Sequence, residues 1–391
     1  MTPLPYGRQW IEEEDIAAVV EVLRSDYLAH GPTVAAFERA FAQAVGAGEA
    51  VACSSGTAAL HLALRGRDIG PGDRCVVPAI TFLSTATAAL LCGAEVALAD
   101  VDPETGLMTP DTLAEAIGKR PVSAVLPVHL GGRQADIAAL SGLAHAAGAV
   151  VVEDACHAIG GTDRFGVPIG ACRGSEAATF SFHPVKTLAA GEGGMVTLND
   201  AERAGRLRRL RNHGVTHDPA AMTEPDSLDA AGERNPWSYE QLELGFNYRM
   251  DEMSAALGLS QLSRLALFAR RRSRLAVLYD AALRPLAPLV RPARQSDGRP
   301  ALHLYQVLID FEAAGVTRAA LTRRMSALGV STQVHYIPLY RQPFFRQRYG
   351  EMRLDGAEAF YGRVLALPLF PAMAEGDVER VTTALRSALG V

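Results

Sequence analysis

The sequence predicts an α/β chain: a large domain built on a mostly parallel sheet, followed by a smaller C-terminal α/β domain. Two observations predict it. From residue 50 short apolar runs alternate regularly with helical stretches, and after a long helical segment near residue 250 a second, shorter alternation begins. Strand and helix in regular alternation favour a parallel sheet covered on both faces. At 391 residues the chain exceeds a single core, so we expect a large domain over residues 1–260 and a smaller one over 261–391.

Ile11 to Arg24 carries apolar residues at helical spacing with Glu and Asp in its first turn, where they complement the helix dipole, and reads as a helix. SDYLAHGPTV breaks the pattern at Gly31 and Pro32, and PTVAAFERAFAQAVG restarts it. The alternation then runs AVACSS, GTAALHLALR, RCVVPA, FLSTATAALLCG, EVALADVD, TPDTLAEAIG, SAVLPVHL, DIAALSGLAHAAG and AVVVEDA, with AATFSF and GMVTLND as further strands. A basic helix, AERAGRLRRLRNHG, comes next. The segment from Val215 to about Glu240 is polar, rich in Pro, Asp and Gly, and too long for an ordinary connection, so we expect a functional or mobile loop. One long helical pattern from Met250 leads into the smaller domain, where LYQVLIDF, TRAALTRRMSALG, STQVHY and GDVERVTTALRSALG alternate again.

Composition narrows the function classes. Hydrophobic residues at 49% and charged residues at 21% are globular values, and a net charge of -5 argues against nucleic acid as a partner. The five cysteines are scattered without a CxxC pair, which suggests neither a disulfide framework nor a metal site and fits a reducing cytoplasm. The N-terminus lacks a signal-peptide core, and apolar stretches such as TATAALLCGAEVALA stop short of spanning length, so no membrane association is expected.

Three stretches could carry chemistry. CSSGTAALHLAL puts Ser-Ser-Gly-Thr between a strand and a helix; free N–H groups at a helix start make a phosphate cradle, although an ordinary helix cap would read the same. Neither a GxxxxGK[ST] nor a GxGxxG loop is present, which lowers the case for an NTPase or a dinucleotide oxidoreductase. AVVVEDACHAIGG ends a strand in Glu153 and Asp154, with His157 shortly after, at the carboxyl end where open α/β sheets bind ligands; a strand-end Asp that caps the next helix is the bland account. Cys156 and His157 are adjacent and do not face each other, which argues against a thiol nucleophile. In SFHPVKTLAAGEGGMV a single lysine, Lys186, follows a buried-type strand: either a solvated turn or an amine able to form a Schiff base with an aldehyde. A phosphate cradle, an acid and an amine together suit pyridoxal 5'-phosphate, whose phosphate needs donors, whose ring nitrogen needs an acid and whose aldehyde needs an amine.

EDACHAIGG, SFHPVKTLAAGEGGMV and LGFNYRM, in this order, resemble the sugar aminotransferases of the DegT/DnrJ/EryC1 family, fold-type-I pyridoxal-phosphate enzymes, and the resemblance covers nearly the whole chain. It implies that Lys186 binds the cofactor covalently and then moves the proton, and that Asp154 holds the ring nitrogen. It further implies that His157 packs near the ring, that Ser181 with Gly56 and Thr57 binds the phosphate, and that Phe82 stacks on the ring. Asn247 matches an asparagine that reaches the phosphate from the neighbouring subunit, so a homodimer with shared sites is implied. Some relatives replace the lysine by histidine and act as dehydratases; this chain retains Lys186.

The N-terminal region, ALHLYQV and STQVHYIPLY look most like the branch that aminates C4 of a UDP-linked 4-keto-6-deoxy-N-acetylhexosamine on the way to pseudaminic acid, with L-glutamate as donor. Tyr6, Tyr27, Leu28, Ala29, His30, Tyr305 and Tyr336 are the implied substrate-side residues, each with core or interface packing as the alternative. Arg249 is a candidate for the diphosphate or the donor carboxylate. RLRRLR (206–211) and RRRSR (270–274) are expected to be solvated helix faces or interface residues. An aminotransferase for another nucleotide-linked 3- or 4-keto sugar is the nearest rival, and a silent cofactor-binding regulator the rival from another class.

Overall fold

The protein is described by a computed structural model covering residues 3–391. Seven strands form the main sheet: β1 (Glu49–Cys53), β2 (Arg74–Pro78), β3 (Glu95–Ala99), β4 (Ala124–Val125), β5 (Val150–Asp154), β6 (Ala177–Ser181) and β7 (Gly194–Leu198), in the order β1-β7-β6-β5-β4-β2-β3. β7 alone runs against the others, pairing antiparallel with both β6 and β1, while β3, β2, β4, β5 and β6 pair in parallel. The carboxyl ends of β1, β2, β4, β5 and β6 therefore open on one edge, where open sheets of this kind bind ligands.

Several helices begin where short polar side chains bond the free N–H groups of a first turn. Ser55 accepts from Ala58 N at 3.1 Å to start Gly56–Arg65, Asp200 from Arg203 N at 3.0 Å to start Ala201–Leu210, and Asp251 from Ser254 N at 2.8 Å to start Glu252–Ser263. On one face of the sheet Leu60, Leu62 and Leu64 are buried among the strands. On the other, Phe37, Phe41, Phe180 and Phe182 interlock with ring centres 5.0–5.9 Å apart. Full burial of each such ring contributes roughly 1.5–3 kcal/mol.

The single long helical pattern read from Met250 is two helices, Glu252–Ser263 and Leu265–Leu283. Arg264 separates them with a non-helical ψ of 6°, and its guanidinium pairs with the buried Asp15, which also takes Ser260 Oγ at 2.6 Å and Gln261 Nε2 at 2.7 Å. The hydrogen-bonding demand of that carboxylate, set in the helix Glu13–Leu23, outweighs helical periodicity at Arg264.

Val215–Thr216 (β8) pairs with Glu240–Gln241 (β9), closing the long polar segment at its base. Inside it Glu240 accepts from Thr223 N and Glu224 N, each at 3.0 Å. The smaller domain has a three-stranded antiparallel sheet of β10 (Val290–Pro292), β11 (Tyr305–Ile309) and β12 (Val364–Leu367). Its core draws in Leu4 from the N-terminal segment, which bridges to Val330.

The arginine runs differ from expectation. Arg206 pairs with Asp68 and Glu243, Arg208 with Glu38 and Glu49, and Arg211 with Glu38, so this helix is ion-paired to the rest of the large domain. Arg272 is fully buried, donating to the carbonyls of His303 at 3.0 Å and Leu369 at 2.8 Å. A guanidinium that can bond carbonyls of two other segments can be buried there.

Candidate active site

Asp154 closes β5 with its side chain buried. Thr85, in the first turn of the helix Leu83–Leu91, donates to Asp154 Oδ2 at 2.6 Å, and Cys156 N donates to Oδ1 at a longer 3.2 Å. The strand end is further fixed by Asp154 N to Pro127 O at 2.9 Å and His129 N to Asp154 O at 3.1 Å.

Lys186 lies in the turn after β6, its N–H donating to His183 O at 2.8 Å. Burial lowers its pKa, and the neighbouring Cys156 and Asp154 oppose the shift. The same burial lifts the Cys156 thiol well above its ordinary range, with Asp154 adding to the rise, so it is a neutral wall and no nucleophile.

The turn after β1 forms a helix start capped by Ser55. Gly56 and Thr57 open a ten-residue helix behind Ser55, and Ser181 ends β6 beside them. A Cβ on Gly56 would stand 2.8 Å from Ser181 Cβ and 3.3 Å from Cys156 Sγ, so only glycine lets the three elements meet. Ser54 N donates to Tyr248 O at 2.8 Å, which brings the LGFNYRM segment against this turn.

Around the amine stands an aromatic wall. The His157 ring stacks on Tyr336 at 6.2 Å and lies 4.6 Å from His303; Phe82, half exposed, is 5.8 Å from Tyr336, and Tyr6 is 5.6 Å from His335. Gly131 N donates to His157 Nδ1 at 3.2 Å, so the proton of a neutral ring sits on Nε2 and points to Tyr336 Oη, 3.3 Å away. Burial holds His157 and His303 well below the ordinary histidine range and His335 down at about 3, with the Lys186 charge acting in the same direction on all three.

The structure thus brings together Lys186, Asp154, His157, Ser181, Gly56, Thr57, Phe82, Tyr336 and Tyr6. It does not bring Tyr305, whose ring is buried against Tyr279 at 4.6 Å and whose hydroxyl donates to Asp280 at 2.6 Å; this residue belongs to the core of the smaller domain. His303, just ahead of β11, is the side chain of that stretch that enters the cluster. Tyr27, Leu28, Ala29 and His30 are exposed over the start of the helix Glu252–Ser263, where Leu28 O accepts Glu252 N at 3.1 Å. Asn247 is exposed and bridged through its backbone to Asn212, whose side chain accepts from Arg249 at 2.8 Å. Thr85, His303 and His335 escaped the sequence reading; a polar residue inside the apolar run LSTATAALL, and two histidines beside the tyrosines singled out, were the available signals.

A cavity of about 940 Å³ lies apart from this cluster, walled by Glu153, the 163–174 segment and the small-domain loop at Arg294. It includes neither Lys186 nor Asp154. Among the described residues no helix is long and apolar enough to cross a membrane.

Comparison with known proteins agrees with this geometry. The model of the DegT/DnrJ/EryC1/StrS aminotransferase family matches residues 9–386. The spore coat polysaccharide biosynthesis protein SpsC of Bacillus subtilis is 39% identical over 386 residues, covering 98% of this chain and 96% of that protein. Among solved structures, Helicobacter pylori PseC, an aminotransferase involved in the biosynthesis of pseudoaminic acid, superposes with a TM-score of 0.89 at 25% identity over 100% of both chains. Streptococcus pneumoniae Spr1654 in its PLP-form superposes with a TM-score of 0.88 at 25% identity, covering 99% of both chains, and a PMP-form is also known.

The residues present fit pyridoxal phosphate: an amine withdrawn from water, a buried carboxylate with one oxygen only weakly engaged, and a glycine-lined helix start beside a serine. The fold is that of the fold-type-I enzymes, and the chain is pyridoxal-phosphate dependent.

Proposed function

The chain belongs to the DegT/DnrJ/EryC1/StrS aminotransferase family, and within it we propose that this sugar aminotransferase moves the amino group of L-glutamate to C4 of a UDP-linked 4-keto-6-deoxy-N-acetylhexosamine. The convergence of Lys186, Asp154 and the Gly56–Ser181 turn at the carboxyl edge of the sheet supports the aminotransferase chemistry, and the likeness to PseC, an aminotransferase of pseudoaminic acid biosynthesis, supports the choice of sugar. Pyridoxal phosphate supplies an aldehyde that accepts the amine and a protonated ring that draws off an electron pair.

The protein's own part follows from its groups. Lys186, its pKa lowered by burial, holds more neutral amine at working pH than a surface lysine, as a nucleophile and proton carrier must. Asp154 would hold the ring nitrogen in its protonated form. The helix start at Gly56 and Thr57, with Ser181, supplies donors to the phosphate. His157 stays neutral and donates a hydrogen bond from its Nε2–H to Tyr336 Oη, which orients that hydroxyl toward the substrate side. Tyr6, Phe82 and Tyr336 close the wall on which the sugar would lie. The Tyr27–His30 segment and Arg249 are assigned to the nucleotide side.

We further propose a homodimer in which Asn247 and Arg249 of one protomer complete the site of the other. Support comes from the exposure of Asn247 and of two large apolar side chains earlier in the same stretch of chain, Trp237 at 74% and Leu244 at 76%. A cytoplasmic setting is supported by five cysteines that are all free.

A second reading is favoured by one observation: the greater identity to SpsC, 39% against 25% for PseC. It keeps the chemistry and changes the acceptor to another nucleotide-linked keto sugar, outside the pseudaminic acid pathway. The test is to load the protein with pyridoxal phosphate, record its absorbance before and after L-glutamate beside Lys186→Ala, and then supply a panel of UDP- and dTDP-linked keto sugars. Conversion only with Lys186, reversed by the UDP-linked 4-keto sugar, is expected. Reversal by a dTDP sugar alone would transfer the proposal to the second reading, and no conversion by L-glutamate would overturn the choice of donor.

A further inference from the structure

Both oxygens of the Asp154 carboxylate are engaged in the fold, but unequally. Oδ2 takes the Thr85 hydroxyl proton at 2.6 Å, whereas Oδ1 takes the Cys156 N–H at a longer 3.2 Å, with the Cys156 thiol also close to the carboxylate. A short bond from a hydroxyl to a carboxylate is among the stronger hydrogen bonds, and a 3.2 Å amide contact is at the weak end.

Thr85 has one proton, and it is given to Asp154. In the 2.7 Å contact between Thr81 Oγ1 and Thr85 Oγ1 the proton must therefore come from Thr81. The result is a directed chain, Thr81 to Thr85 to Asp154, in which each hydroxyl polarises the next. Thr81 is 2% exposed and Thr85 0%, so no water competes for these protons. Such a chain fixes the carboxylate plane and leaves Oδ1 as the oxygen able to receive a further donor.

We propose that Thr85, backed by Thr81, is the positioning residue that aims Asp154 Oδ1 at the ring nitrogen and tunes how strongly that nitrogen holds its proton. The inference rests on the assignment of Asp154 given above. Position in the chain supports it: Thr81, Phe82 and Thr85 occupy one turn after β2. The element that presents an aromatic face to the ring thus also sets the acid at its edge, and a shift of that turn would move both together.

The test uses the full chain loaded with pyridoxal phosphate and compares Thr85→Val, Thr85→Ser, Thr81→Val and Asp154→Asn. Three quantities are read: the pH dependence of the bound cofactor's absorbance, the single-turnover rate with L-glutamate, and the KM for the keto sugar. Thr85→Val keeps shape and removes the hydroxyl. It is expected to shift the absorbance pH profile and slow the turnover by about 10–100-fold, the usual cost of losing an outer-shell partner, with KM unchanged. Thr85→Ser is expected to restore both, and Thr81→Val to move both the same way by less. A Thr85→Val protein that binds the cofactor fully and keeps the wild-type profile and rate overturns the inference, while Asp154→Asn still shows its own effect. An Asp154→Asn protein with an unchanged profile overturns the underlying assignment instead. Should Thr85→Val not fold, Thr81→Val decides: its shift supports the chain, and a wild-type profile overturns it.

Discussion

Glu153 and Asp154 are consecutive carboxylates at the end of β5, 4% and 5% exposed, and alternation along the strand sends them to opposite faces of the sheet. Each oxygen of Glu153 has one short side-chain partner. Ser175 donates to its Oε1, and His129 Nε2 stands 2.8 Å from Oε2; that ring carries its proton there because Ala135 N donates to Nδ1 at 3.1 Å. Asp154 has a short bond from Thr85 on one oxygen and a longer one from Cys156 N on the other, with the Cys156 thiol close by, and it shares its surroundings with an amine. Burial alone does not mark a functional acid. The proposed role of Asp154 rests instead on the company it keeps, an amine and a longer, weaker bond on one oxygen.

Paired substitutions should break the comparison most sharply. Lys186→Ala is expected to lower the L-glutamate half-reaction by roughly 10³-fold or more, since it removes both nucleophile and proton carrier. Asp154→Asn is expected to cost on the order of 10²-fold or more in the same single-turnover measurement, with urea unfolding little changed. Glu153→Gln should do the reverse. Its half-reaction should stay within about twofold, while the disturbed buried network lowers unfolding free energy by about 1–3 kcal/mol. Equal kinetic losses for Glu153→Gln and Asp154→Asn would defeat the distinction.

Acid titration should sharpen the contrast from the side of the histidines. His335 is held down at about 3 and His61, on the helix behind the phosphate turn, at about 4, both by burial. Between those values and the unfolded value of about 6.5 the unfolded chain binds protons that the folded one refuses, so stability falls as pH drops through that window. Each such histidine contributes a slope approaching about 1.4 kcal/mol per pH unit. Urea midpoints from pH 7 to 4.5 should fall steeply, and His61→Phe should reduce the slope by one histidine's share; an unchanged slope would mean that His61 titrates freely in the fold.

Much of this arrangement was legible in the sequence, and the exceptions have a common cause. Asp154, Lys186 and the Ser55–Gly56–Thr57 turn sit at strand ends in recognisable local contexts, so pattern and motif locate them. Thr85 and His303 act through partners from other segments, and no local period announces such a contact. Arg272 looked solvated because a run of arginines usually is, yet two distant carbonyls accept its protons. The split at Arg264 has the same origin in Asp15, and β12 lies in an apolar run too short for periodicity to separate strand from helix. Fold-level alternation is local information; the closing of a network is not.

The Gly56 position offers a smaller perturbation of the active face. Gly56→Ala would push a methyl to 2.8 Å from Ser181 Cβ, forcing the turn and β6 apart. Overpacking of this kind costs about 1–3 kcal/mol. We expect cofactor affinity, measured by titrating the apoprotein with pyridoxal phosphate, to fall by about tenfold or more. An unaltered affinity would place the phosphate elsewhere.

The smallest effect belongs to Tyr305, and it tests whether neighbours in sequence share a role. Tyr305 and His303 lie two residues apart, yet the chain turns into β11 between them: His303 N and Leu304 N both donate to Gly131 O, at 3.0 and 3.2 Å. That turn sends the imidazole toward His157 and the phenol into the smaller domain's core. Tyr305→Phe removes only the hydroxyl bond to Asp280, leaving the ring stacked on Tyr279. The expected loss is about 0.5–1.5 kcal/mol in urea unfolding, with the half-reaction rate and the KM for the keto sugar unchanged. A raised KM with unchanged stability would return Tyr305 to the substrate side and show that β11 moves when the sugar binds.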